Sequence, residues 1–200
     1  MRTRRRVWLV PFLDLSNLMF FWFCGLFAIA LLIIGETEAA KKVDTTSKLL
    51  IHLVWSDNSP DDMDLWLKTP ADHPVGYKIR QADYASLDHD NLGMNNSVVV
   101  DAGGNPVMSP SRDEVIFVRQ TMPGVYVVNI HAFHLYRPET VTVTLVSVDP
   151  VYSVLNERKL KFTETREEQT AFRFTVDAQG AVISTDAVPE MFVNELLSHQ

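Results

Sequence analysis

Residues 7–34 read VWLVPFLDLSNLMFFWFCGLFAIALLII, and the reading of this stretch decides what the rest of the chain is attached to. A helix over residues 15–34 alone would reach about 30 Å at roughly 1.5 Å per residue, the thickness of a bilayer's hydrocarbon core. The pattern therefore predicts one transmembrane helix over 7–34, with a basic tail over 1–6 before it. A cleaved secretory signal is the competing reading, since arginines precede the run and Glu38-Ala39-Ala40 follows it. The apolar part of such a signal is usually only about 7–15 residues and does not hold an acid. Here an aspartate, Asp14, lies well inside the run.

Charge is divided along the chain. The 200 residues carry a net −7. Residues 1–34 hold Arg2, Arg4, Arg5 and Arg6 against Asp14, which is +3, so the remainder holds −10. An acidic body argues against nucleic acid as a partner, because phosphate neutralisation needs clustered Lys and Arg. Cys24, the one cysteine, falls in the apolar run, so the rest of the chain can form no internal disulfide. Beyond the run, Glu36 and Glu38 nearly cancel Lys41 and Lys42. The excess of arginine before the span places the N-terminus in the cytoplasm and residues from about 40 onward across the membrane.

Asp14 needs a partner that this span does not offer. If Arg6 lies at the interface, Asp14 is about 12 Å further along the axis. A carboxylate at such depth costs about 2.5–3.5 kcal/mol on insertion scales. No Lys, Arg or His occurs between Arg6 and Lys41, so the compensation must come from another chain, from water, or from a proton on Asp14 itself. At about 100° per residue, Leu18, Phe21, Gly25, Ala28 and Leu32 follow Asp14 on one face, with Asn17 beside it. Gly25 and Ala28 would let a second helix approach closely. Pro11 stands where it either starts the helix or releases a backbone carbonyl. Small residues are common in any spanning helix, whereas an intramembrane acid marks a functional position.

A short basic tail followed by Pro11-Phe12-Leu13-Asp14 at the head of one apolar helix resembles the start of ExbD/TolR proteins, and the flagellar stator protein MotB is similar in plan. The resemblance covers about the first 35–40 residues. It implies a homodimer whose helices sit inside a ring of multi-pass ExbB/TolQ/MotA-like subunits, with Asp14 as the ion-translocating residue.

Residues 35–47 read as a polar linker, and residues 48–185 as short β-like runs separated by turns. The clearest runs are 48–55, 63–67, 97–100, 114–119, 125–133, 140–148, 159–162 and 170–176. Phe172, Phe174 and Val176 alternate with Arg173 and Thr175, the pattern of a half-buried strand. Asp57-Asn58-Ser59-Pro60, Gly103-Gly104-Asn105-Pro106 and Pro123-Gly124 punctuate the runs. Many short strands without a long amphipathic helix between them predict an all-β antiparallel sandwich. Residues 186–200 form a tail in which a short helix would place Phe192 and Leu196 on one face.

Trp55, the Asp62-Met63-Asp64-Leu65 strand, Pro70, Leu87-Asp88-His89-Asp90, Asp113-Glu114 and Pro123-Gly124-Val125-Tyr126 occur in an order that resembles bacterial β-sandwich domains of the YfaP/DUF2135 kind. That resemblance spans roughly residues 49–135 and implies a fold more than an activity. Asp62 and Asp64 alternate on one strand and so share a face; joined by Asp88, Asp90 and Asn91 they would offer the oxygen-rich set that Ca²⁺ takes. EF-hand spacing is absent, and acids of this kind also occur in loops that simply face water. His131 and His134 would point to opposite faces of a strand and so make no zinc pair, and no nucleophile-elbow motif is present.

These readings converge on a protein that is not an enzyme. It is expected to be the single-pass subunit of a proton- or Na⁺-driven motor of a bacterial inner membrane. Its β-sandwich would lie in the periplasm, coupling force to, or binding, an envelope or protein partner. The alternative is a β-sandwich binding module on a passive anchor, and a third reading is an accessory subunit whose Asp14 pairs with an arginine of another chain.

Overall fold

The computed structural model describes residues 9–40, 47–93 and 98–199, except the side chains of 9–12, 30–40 and 108. Arg2, Arg4, Arg5 and Arg6, the start of the expected span at 7–8, Lys41 and Lys42, the rest of the expected linker to 46, Ser97 and Gln200 lie outside the described residues. The chain separates into two compact units, divided between Asp44 and Thr45.

The first unit contains helix α1, Leu9–Ala40. Pro11 falls in its first turn, where a missing N–H costs nothing. The helix continues six residues beyond the expected end at Ile34, into the segment expected to be linker. Glu36, Glu38, Ala39 and Ala40 are good helix formers and extend it past Gly35. The apolar side chains over 13–29 are all exposed, from 54% for Leu13 and Ile29 to 71% for Phe21. Among the described residues, no helix is long and apolar enough to cross a membrane; the described side chains of α1 stop at residue 29.

The second unit is β-sandwich-like and antiparallel throughout. Its strands are β1 (Leu49–Val54), β2 (Asp62–Lys68), β3 (Pro74–Val75), β4 (Gln81–Ala82), β5 (Ala85–His89), β6 (Val98–Val100), β7 (Pro106–Met108), β8 (Asp113–Val118), β9 (Gly124–His134), β10 (Glu139–Ser147), β11 (Ser153–Phe162), β12 (Glu168–Val176) and β13 (Val182–Asp186), followed by helix α2 (Val193–Ser198). One sheet has the order β11-β10-β1-β8-β5-β4 and the other β13-β12-β9-β2-β3, with β6 and β7 forming a separate hairpin. All eight expected runs are strands. The seventh is longer than its expected 159–162, beginning at Ser153, because the positions in phase with buried Leu160 and Phe162 are the polar Asn156 and Arg158.

Alternation places the core between the two sheets. Leu49, Ile51 and Leu53 of β1, Met63, Leu65 and Leu67 of β2, and Val141, Val143 and Leu145 of β10 are buried there. Each such side chain is worth about 1.5–3 kcal/mol on full burial. The Tyr126 and Phe174 rings stack at 4.7 Å between centroids, and the Tyr126 hydroxyl accepts the Met122 N–H at 2.8 Å, fixing the entry to β9. Gly124, at φ 131°, could carry no side chain, since a Cβ would lie 2.7 Å from Pro70.

The segment after β13 packs onto the second sheet. The Glu168 carboxylate accepts N–H bonds from Phe192 at 2.8 Å, Val193 at 2.9 Å and Asn194 at 2.9 Å, and another from the Asn129 side chain at 2.6 Å. It thereby satisfies the open N–H groups at the start of α2, a role that a residue beside the helix usually fills.

Candidate functional site

In α1, Asp14 is exposed, as are Asn17 and Ala28. On the same face, Leu18, Phe21 and Gly25, with Trp22, Leu26 and Ile29, line a shallow groove along the helix. A Cβ placed on Gly25 would meet nothing within 4 Å, so the groove is open at that point. Pro11 is helical, its side chain outside those described.

The sandwich holds a second concentration of chemistry, around β2. Antiparallel pairing sets Asp64 directly opposite His131, and Nδ1 of His131 lies 3.0 Å from the Asp64 carboxylate. Both side chains are almost fully buried, 2% exposed for His131 and 4% for Asp64. Glu114 reaches this strand from β8 of the other sheet. Its carboxylate accepts the Leu65 N–H at 2.7 Å and the Asn91 N–H at 3.3 Å. β3 pairs only with Leu67 and Lys68, so Glu114 takes over where that short strand ends. Asp62 completes the group, with Oδ1 buried and without a hydrogen-bond partner among the described residues.

Putting so many acids together out of water favours their protonated forms. Burial, and then the charges of Asp64 and Asp90, raise Asp62 from its ordinary 3.8 to about 7. Burial raises Asp64 to about 6, against the pull of its bond to His131. Glu114 is pushed well above the usual carboxylate range by burial, with Asp64 adding to the effect. The cluster can therefore hold protons near neutrality, and His131 is the basic group in direct contact with it.

The calcium set expected from Asp62, Asp64, Asp88 and Asp90 is only partly assembled. Asp64 and Asp90 lie close enough to Asp62 to raise its carboxyl, and Asp90 does the same to Asp64. Asp88 turns away to an ion pair with Arg119 at 2.7 Å, and Asp90 pairs with Arg80 at 3.0 Å. Among the described residues no group of three or more His, Cys, Asp or Glu side chains is arranged to hold a metal ion. Asp64, Asp88 and Asp90 are engaged by His131, Arg119 and Arg80, so the four acids do not turn a shared set of oxygens to one point, while Asp62 Oδ1 has no hydrogen-bond partner among the described residues. His131 and His134 do part: His134 is exposed and packs on Tyr136 at 4.5 Å.

Glu114 and His131 are the two members of the cluster whose roles the sequence reading passed over. For Glu114 a signal existed, because Glu114, Ile116 and Val118 alternate and share the buried face of β8. For His131 the decisive fact is its register against Asp64, across 67 residues of chain.

Comparison with known proteins gives no match to a family model, to a curated protein or to a solved structure. The two resemblances rest on the residues that carry them.

Proposed function

We propose that the chain is the single-pass subunit of a proton- or Na⁺-driven rotary motor of a bacterial inner membrane, with Asp14 as its ion carrier. The observation that carries this reading is an acid placed on an apolar helix face without a cation of its own helix to pair with. Two further features support it. The exposed Leu, Phe and Trp side chains over 13–29 need a covering of lipid or other helices. The face that bears Asp14 continues into the groove at Gly25, the kind of close-approach surface that membrane helices use.

In this reading residues 7–34 span the bilayer, and the helix pairs with a second copy inside a ring of ExbB/TolQ/MotA-like subunits. Asp14 takes up the ion on one side of the ring and releases it as the ring turns. The sandwich lies in the periplasm and couples force to, or binds, an envelope partner; no catalytic step is involved. The alternative, a passively anchored binding module, shares every feature except a use for Asp14.

Asp14→Asn tests it. The amide keeps the shape and hydrogen-bonding capacity of the acid, and is easier to bury, so the variant should insert, dimerise and copurify with its ring partner as the parent does. It should abolish ion-driven activity, while Asp14→Glu retains part of it. Full activity in an Asp14→Asn protein at parental expression and assembly would replace the motor reading with the passive anchor.

A further inference from the structure

His131 has a second neighbourhood besides the acid cluster. It forms part of the floor of a groove of about 270 Å³ on the outer side of β9, bounded by Tyr77 and Phe133, by Arg166, and by Asn194 and Ser198 of α2. The site lies just below the roughly 300–1,000 Å³ of typical small-molecule pockets, a size that suits one small molecule or the terminal group of a larger one.

The lining is chemically uneven. Tyr77 and Phe133 form an edge-to-face pair at 5.7 Å, and Phe133 meets the His131 ring at 6.3 Å, so one wall is aromatic. Arg166 brings a guanidinium that has no ion pair among the described residues, on a residue held at φ 66° in the turn before β12. That turn is fixed, since the Arg166 N–H bonds the Ala132 carbonyl at 2.7 Å and its own carbonyl accepts the Asn194 side chain at 3.3 Å. His131 is 1% exposed. Its Nδ1 is committed to Asp64, while its Nε2 is buried and has no partner among the described residues. An unsatisfied buried ring nitrogen has lost its water without compensation, and a ligand that reached it would remove that cost.

We propose that this groove is a binding site for a small organic anion, a carboxylate or a phosphate joined to an apolar group. The anionic head pairs with Arg166, whose planar fork suits both chemistries, and accepts a hydrogen bond from an Nε2–H of His131. The apolar part lies against Tyr77 and Phe133, and Asn194 and Ser198 offer polar groups from α2. This site is on the sandwich and stands whether or not Asp14 carries an ion.

The test uses the full chain in detergent micelles, with benzoate, phenyl phosphate and uncharged benzyl alcohol as probes at about 10 mM and matched ionic strength. Thermal unfolding and titration calorimetry provide the readouts. At least one anion should raise the unfolding midpoint by about 2–4 °C, and benzyl alcohol should not. Arg166→Gln, which removes the charge from an exposed side chain, should weaken binding at least about fivefold, and Ser198→Glu, which adds a negative charge at the rim, should abolish it. A response to benzoate alone assigns the site to carboxylates, and a response to phenyl phosphate alone assigns it to phosphates. Neither anion exceeding benzyl alcohol, or equal responses in the parent and both variants, overturns the proposal.

Discussion

Replacing Asp62 by asparagine should stabilise the protein at neutral and alkaline pH, which is unusual for the loss of a charged side chain. Asp62 has a buried oxygen without a partner among the described residues, and burial with the charges of Asp64 and Asp90 moves its carboxyl from 3.8 to about 7. Below about pH 4 both folded and unfolded chains carry the proton, and the site costs nothing. As the pH rises the unfolded chain ionises first, near 3.8, while the folded chain keeps its proton until about 7. The folded state therefore loses stability across that window, the reverse of an ion-paired carboxylate. The displacement corresponds to about 4 kcal/mol at roughly 1.4 kcal/mol per pH unit, and the solvent that still reaches Asp62 reduces this to about 2 kcal/mol. Asparagine keeps the shape and never ionises. At about pH 8 the variant should unfold some 4–8 °C above the parent, at 2–4 °C per kcal/mol for a domain of this size. Below about pH 4 the two should coincide. The assay is thermal unfolding followed by far-ultraviolet circular dichroism between those limits, with a chelator present. A variant no more stable than the parent at about pH 8, or an advantage that persists unchanged into acid, would refute the account of the cluster.

Two further outcomes follow from the same geometry. Glu168→Gln turns one acceptor oxygen into a donor facing the N–H groups of α2, and removes the charge from the remaining bonds. Charged hydrogen bonds are about twice as strong as neutral ones, so about 2–3 kcal/mol should be lost; hydrogen exchange at Phe192, Val193 and Asn194 should accelerate, and unchanged exchange there would count against the role given to Glu168. Millimolar Ca²⁺ should leave the unfolding midpoint within about 1 °C of its metal-free value, and a rise of several degrees would restore Asp62, Asp64 and Asp90 as ligands.

The strands were legible because alternation is a local signal. β1 and β8 each place every second residue in the core, and no knowledge of their neighbours is needed to see it. β5 was hidden because its sequence, ASLDH, buries only its first three residues and ends in polar ones. β13 has one half-buried residue and four exposed, so it carries almost no apolar period. The acids at 62 and 64 were visible as a pair, but their company was not. Glu114 reaches them from the opposite sheet and His131 by strand register, and neither relation leaves a mark in the spacing of residues along the chain. Asp88 misled for the same reason: its two-residue spacing from Asp90 looks like a shared site, while the chain turns the two toward different arginines.

The position of β1 has a mechanical consequence. This strand is the first of the second unit, yet it lies third from the edge of its sheet, with six residues paired to β10 on one side and six to β8 on the other. Tension entering the sandwich from residue 48 would run along the axis of β1. It would load both ladders in shear, so their hydrogen bonds would have to fail together. A terminal strand at the sheet's rim, pulled from the same side, would instead peel away one bond at a time. The sandwich thus receives the chain at a point of high resistance to tearing, an attachment suited to a domain that bears load.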